Sequence, residues 1–282
     1  MNLANRHELI SYLQKHGLYT KRQLGQNFLV DRAALASIVG AADIRDEDCV
    51  VEVGPGLGVM TEELVRRAGK VVAVEIDQVL AALLAERMKK EFPGFVQNLE
   101  IAVGSILSVN LPELLQGCSS YKVVANIPYY ITSKILELFL NMEQRPDSIV
   151  VLTQKEVAER ICARPGEMSV LAVSVQLFGE PEIVRVVPAR SFFPAPEVDS
   201  AVLRIKNIKE PEWNGLGEQE FFRCVKHGFA ARRKTLLNNL SAGYHLEKGA
   251  VLDILGRVGL ASTTRAQEVS IEQWKELCRQ FK

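Results

Sequence analysis

The stretch "CVVEVGPGLGVMTEEL", Cys49–Leu64, decides how the chain is read. A short apolar run, Cys49–Val53, ends at a turn with glycine at positions 54, 56 and 58, and a helical pattern starts at Thr61. Continuous apolarity is what a strand shows when helices cover both faces of a parallel sheet. Glycines directly after such a strand let the backbone approach a ligand, with N–H groups of the next helix directed at it. The dinucleotide fingerprint is G-x-G-x-x-G. Here position 59 is Val and the spacing is G-x-G-x-G, which points away from a pyrophosphate and towards a smaller nucleoside cofactor.

Further short apolar runs follow at Val71–Ile76, Leu99–Val103, Tyr121–Ala125 and Ser148–Thr153. Between them "TEELVRRA", "VLAALLAERMKK" and "ITSKILELFL" space their apolar residues at three and four, as crossover helices do. This alternation predicts an α/β, doubly wound parallel sheet. Two helical stretches, "EVAERICAR" and "MSVLAVSVQLFG", then lead to two more strand candidates, Glu182–Val187 and Ser200–Ile205, which makes seven. A polar stretch rich in Gly and Glu, Asn207–Glu220, reads as a linker. Beyond it the pattern is helical only, so the expected domains are 1–207 and an all-helical 208–282.

Of the 282 residues, 48% are apolar and 24% charged, an ordinary globular balance. No apolar run approaches the roughly 20 residues that span a bilayer. Arg6, Glu8, Lys15, Lys21 and Arg22 interrupt any secretory apolar core, so a cytoplasmic location is expected. The five cysteines are scattered, which predicts reduced thiols, no disulfide framework and no zinc site. With four scattered histidines, no metal centre is expected. The net charge of zero is unevenly spread: Phe221–Leu246 has no acidic residue but carries Arg223, Lys226, Arg232, Arg233 and Lys234. The N-terminal segment is also basic. Such patches are read either as solvated helix faces or as contacts to a polyanion.

The ends of the strands define the ligand. In open α/β sheets it lies across their carboxyl ends. Glu75, 21 residues after Gly54, ends the second strand, where a carboxylate accepts hydrogen bonds from ribose hydroxyls. Ser105 follows the third strand and is placed for an adenine edge. The fourth strand runs into "NIPYY", Asn126–Tyr130. S-adenosylmethionine fits this frame: it has adenine and ribose, no phosphate, and a reactive methyl that would face Asn126. An exocyclic amine on a base is a poor nucleophile because its lone pair is delocalised. Asn126 Oδ1 and the Ile127 carbonyl are placed to accept its N–H groups, Pro128 stiffens the loop, and Tyr129 stacks on the base. Tyr130 is read as packing.

The segments "LGQNFLVD", "EVGPGLGVMT", "VVAVEID", "ANIPYYITS", "ARPGEMSVLAVSVQ" and "SFFPAPEVDSAV" occur in that order, followed by "RRKTLLNNL". In this set the chain resembles the small-subunit ribosomal RNA adenine-N6,N6-dimethyltransferases, the KsgA type. The resemblance implies a seven-stranded Rossmann-like S-adenosylmethionine-dependent methyltransferase sheet, its last strand antiparallel, with a small helical C-terminal domain. It also implies that Asn27, Leu29, Gly54, Gly56, Glu75, Ser105 and Asn126 hold the cofactor. Asn126, Pro128, Tyr129 and Phe192 would form the target-base site, and Lys21, Arg22, Arg232, Arg233 and Lys234 would contact RNA phosphates. Ser105 departs from the family pattern, which has Asp there. The implied reaction is dimethylation of two adjacent adenines in the 3′-terminal hairpin loop of small-subunit (16S) RNA, by a monomer acting on the RNA or the assembling 30S particle. The rivals are a large-subunit adenine methyltransferase of the macrolide-resistance type, and an RNA-binding assembly factor without chemistry.

Overall fold

The computed structural model describes residues 2–20 and 25–281. The chain opens with α1 (Arg6–Lys15), β1 (Phe28–Leu29), α2 (Arg32–Ala42), β2 (Cys49–Val53), α3 (Thr61–Val65), β3 (Lys70–Glu75) and α4 (Gln78–Glu91). It continues with β4 (Leu99–Val103), α5 (Leu111–Leu114), β5 (Lys122–Asn126), α6 (Thr132–Leu140), β6 (Ser148–Gln154), α7 (Lys155–Ile161) and α8 (Val170–Gln176). Then come β7 (Glu180–Val187), β8 (Phe192–Phe193), β9 (Ser200–Lys206), α9 (Glu218–Gly228), α10 (Leu236–Tyr244), α11 (Lys248–Arg257) and α12 (Ile271–Gln280).

Seven strands form one sheet in the order β4-β3-β2-β5-β6-β9-β7. The five from β4 to β6 run parallel, and β9 is antiparallel to both of its neighbours. Every residue of β2 is buried, as its apolarity predicts; β4, read as an equally covered apolar run, is half open because it stands at the sheet edge. The order reverses at β2, whose neighbours β3 and β5 lie on opposite sides. That reversal leaves a crevice at the carboxyl ends of β2, β3, β4 and β5, where Gly54, Glu75, Ser105 and Asn126 stand. Asp31 and Asp77 start the helices behind it, each accepting two backbone N–H groups as an N-cap.

Residues Met1–Ala158 with Glu180–Lys209 form one compact unit, and Glu159–Gly179 with Glu210–Lys282 a second. The segment 159–179, which the sequence reading assigns to the first domain, thus groups with the helical one. Gly166 and Met168 N–H groups donate to the Gln267 carbonyl at 2.8 and 3.1 Å, and Gln267 Nε2 returns a bond to Gly166 O. In the second unit the stretch 221–240 is two helices, α9 and α10. Thr235 caps α10, and Asn239 Nδ2 holds the carbonyls of Gly228 and Ala231 across the break. Arg232, Arg233 and Lys234 are exposed on this break, so they lie on a turn and not on a helix face.

One expectation fails in the first unit. Cys49 and Cys118 form a disulfide, their Cα atoms 6.0 Å apart, leaving Cys162, Cys224 and Cys278 as free thiols. The pairing of β2 with β5 brings the two positions together over 69 residues of sequence, which spacing does not reveal. Among the described residues no helix is long and apolar enough to cross a membrane.

Candidate active site

The glycine turn after β2 is folded against β3 and α4. Gly54 N–H donates to Val74 O at 3.0 Å and Gly56 N–H to Glu75 Oε2 at 2.9 Å. Gly58 has φ +82°, and a Cβ there would stand 2.3 Å from Leu84 Cδ1, so only glycine fits. Behind the turn the buried Arg87 donates to Leu57 O at 2.8 Å and pairs with Glu62, fixing the loop from the α4 side. Cβ atoms at Gly54 and Gly56 would come within 3.4 Å of Asn126 O and 3.3 Å of the Phe28 ring. Both positions also have positive φ, +70° and +57°, the backbone region that favours glycine.

Glu75 is 4% exposed, and its Oε1 accepts the Asp77 N–H at 2.9 Å. Backbone N–H groups of Asp77, Gly56 and Ile76 thus orient the carboxylate, whose two oxygens together keep lone-pair capacity for a ligand hydroxyl. Burial pushes its carboxyl above the usual range, and the N–H groups of Asp77 and Gly56 pull it back. At the end of β4, Ser105 Oγ accepts the Leu107 N–H at 3.3 Å. The serine leaves the crevice without the negative charge that aspartate would bring, and its hydroxyl is partly engaged in its own turn.

Asn126 ends β5 and donates through Nδ2 to Asn27 O at 3.3 Å. Among the described residues its Oδ1 has no donor, and it lies in the crevice lining. The loop Gly25–Asn27 sits on the "NIPYY" turn so closely that a Cβ on Gly25 would be 2.9 Å from Pro128 Cβ. Tyr129 is half-buried, and its hydroxyl bonds Ser200 Oγ at 2.7 Å, which fixes the far edge of the ring. Burial raises its phenol above the usual value, and the hydrogen bond to Ser200 opposes that rise.

Asn27, Leu29, Gly54, Gly56, Glu75, Ser105, Asn126, Pro128 and Tyr129 thus line one crevice. Phe192 does not. It is 1% exposed and packed in the core, because the ladder Leu29↔Phe192 and Phe28↔Phe193 turns it inward. Lys21 and Arg22 lie outside the described residues. Tyr130, expected to be packing, is 66% exposed at the crevice.

Sequence reasoning also missed Glu52. It is fully buried in β2, lines the crevice, and neither of its oxygens has a hydrogen-bond partner. Burial, with Glu75 adding to it and Thr61 opposing, pushes its carboxyl up to about 8. A lone acid inside "CVVEV" was the signal for it.

The residues fit S-adenosylmethionine: a carboxylate held at the ribose position, a glycine floor, and an amide oxygen at the far end. Comparison with known proteins agrees. A sequence model of the family described as "Ribosomal RNA adenine dimethylase" matches residues 17–282. The chain is 44% identical over 266 residues to ribosomal RNA small subunit methyltransferase A of Dehalococcoides mccartyi, covering 94% of this chain and 90% of that one. It is 38% identical to the protein of the same name from Moorella thermoacetica over 281 residues, covering 96% and 95%. Among solved structures it is similar to the 23S rRNA methyltransferase ErmE, with a TM-score of 0.71, 30% identity, and coverage of 90% of this chain and 99% of that one. It is also similar to a dimethyladenosine transferase from Plasmodium falciparum, with a TM-score of 0.73, 27% identity, and coverage of 89% and 95%. With the crevice, the donor set and these relatives in agreement, the chain belongs to the ribosomal RNA adenine dimethylase family of S-adenosylmethionine-dependent enzymes.

Proposed function

We propose that this enzyme converts two adjacent adenines in the 3′-terminal hairpin loop of small-subunit ribosomal RNA to N6,N6-dimethyladenine, as a cytoplasmic monomer acting during small-subunit assembly. The observation that carries this reading is the Asn126 side chain, which lines the glycine crevice together with Tyr129 and whose Oδ1 has no donor among the described residues.

Bound S-adenosylmethionine would supply a methyl group on a positively charged sulfur. Asn27, Leu29, Gly54, Gly56, Glu75, Ser105 and Asn126 would hold it, with Glu75 accepting the ribose hydroxyls through the lone pairs that Gly56, Ile76 and Asp77 leave free. The target adenine must leave its stack to reach the crevice. Tyr129, pinned through Ser200, offers it a ring face, and such stacking is worth roughly 1–3 kcal/mol. Asn126 Oδ1 and the Ile127 carbonyl accept the N6–H groups, which favours a pyramidal nitrogen with its lone pair turned to the methyl. In each transfer the adenine N6 would take the methyl as its bond to sulfur breaks, giving up one N6 proton and leaving the sulfur as a neutral thioether; in the second transfer the nitrogen has a single N–H, which one of the two carbonyl oxygens accepts. No side chain forms a covalent bond; the enzyme works by positioning and fixed dipoles. Arg232, Arg233 and Lys234 contact phosphates without reading sequence.

The relatives from Dehalococcoides and Moorella carry the small-subunit name at 44% and 38% identity, against 30% for ErmE, which favours the small subunit over the large. A pure binding factor has no use for the Asn126–Pro128–Tyr129 arrangement. The test is transfer of labelled methyl groups to isolated small and large subunits from cells lacking the modification. Label in small subunits is expected; label confined to large subunits would contradict the assignment.

A further inference from the structure

Tyr129 and Tyr130 sit on the same short turn, Tyr129–Ile131, yet they are placed in opposite ways. Tyr129 is half-buried and tied to Ser200. Tyr130 is 66% exposed and lines the rim of the same crevice. Among the described residues it has neither a hydrogen-bond nor a ring partner. A single exposed aromatic is common on protein surfaces. An exposed one on a stiff turn at the mouth of a base-binding crevice is a different case.

The turn is stiff on both sides. Pro128 precedes it with φ −56°, and the Ile131 N–H closes back on Pro128 O at 3.2 Å. The Thr132 hydroxyl, buried, bonds the Thr153 hydroxyl at 3.0 Å and anchors the start of α6. On a stiff turn only the two side-chain torsions of the ring remain to be ordered when a ligand stacks on it. Lys134, exposed in the first turn of α6, adds a cation on the same stretch of chain.

We propose that Tyr130 is a stacking platform for a nucleotide flanking the flipped adenine, and thus a further RNA-contacting residue of this site. The proposal rests on the RNA-methylating function above. When one base leaves its stack, the next base loses a neighbour and presents an uncovered face at the crevice mouth. An aromatic ring there replaces the lost neighbour in a sequence-tolerant way. Tyr129 then serves the base inside the crevice and Tyr130 the base outside it.

The experiment measures binding of full-length protein to an RNA hairpin that contains the target loop and carries 2-aminopurine beside the target adenine. Tyr130→Ala should weaken RNA binding roughly 5- to 150-fold and relieve the fluorescence quenching of the flanking base. Tyr130→Phe and Tyr130→Trp should restore both, and cofactor affinity and circular dichroism should stay at wild-type values in all three. Wild-type RNA affinity and quenching in Tyr130→Ala would overturn the proposal, as would a Phe variant as weak as the Ala variant. The outcomes are separable: a wild-type enzyme that fails to methylate small-subunit RNA removes the functional reading. Full methylation with an unaffected Tyr130→Ala removes only the stacking role.

Discussion

Replacing Glu52 with Gln should remove a pH-dependent cost of folding. Glu52 is buried in β2 with no hydrogen bond to either oxygen, and its carboxyl is pushed from 4.5 to about 8. Between those values the unfolded chain releases the proton while the folded protein keeps it. Folding then takes up one proton, and stability falls as pH rises, by about 1.4 kcal/mol per unit. The contribution is fully present below the unfolded value and is lost as pH approaches the folded one. Across the whole window the loss is of order 4–5 kcal/mol. Gln has nearly the same shape and cannot ionise, so the variant should lack this slope. Urea unfolding of the cofactor-free protein, followed by circular dichroism at several values between pH 5 and pH 8, measures it. The two proteins should be similar near pH 5, with the variant several kcal/mol more stable near pH 8. Parallel pH profiles, or a variant less stable at pH 8, would refute the picture of a neutral buried acid.

Two further outcomes are expected. Glu75→Ala removes the ribose acceptor and strands the backbone N–H groups of Gly56, Ile76 and Asp77, so cofactor binding by calorimetry should weaken at least about tenfold, the equivalent of one hydrogen bond to a charged group. Changing Arg232, Arg233 and Lys234 together to Ala should weaken RNA binding and reduce the slope of log affinity against log salt by about 2–3, as expected for three lost phosphate contacts.

The central sheet was legible because its inner strands are buried on both faces and therefore read as continuous apolar runs; β2 matches its expected bounds residue for residue, and so does β4, an equally apolar run that lies half open at the edge. The site was legible for the same reason, since strand ends, once placed, fix Gly54, Glu75, Ser105 and Asn126. What escaped depended on long-range pairing. The β1–β8 ladder is two residues long, too short to show a period, yet it decides that Phe192 points into the core. The Cys49–Cys118 bond follows from the β2–β5 neighbourhood. Helices α9 and α10 share one apolar pattern, and only the Thr235 cap and the Asn239 amide mark the break that exposes the basic cluster. Segment 159–179 leaves the first unit because of bonds to Gln267, more than ninety residues away.

The most direct test of the account is nucleoside mass spectrometry of ribosomal RNA from cells that lack this gene and are complemented with wild type or with Asn126→Ala. Wild type should restore N6,N6-dimethyladenine to small-subunit RNA. Asn126→Ala should restore none, while the purified variant still binds the RNA. Dimethyladenine at wild-type level in the Asn126→Ala cells would contradict the proposed role of the amide oxygen. Its appearance only in large-subunit RNA would contradict the assigned substrate.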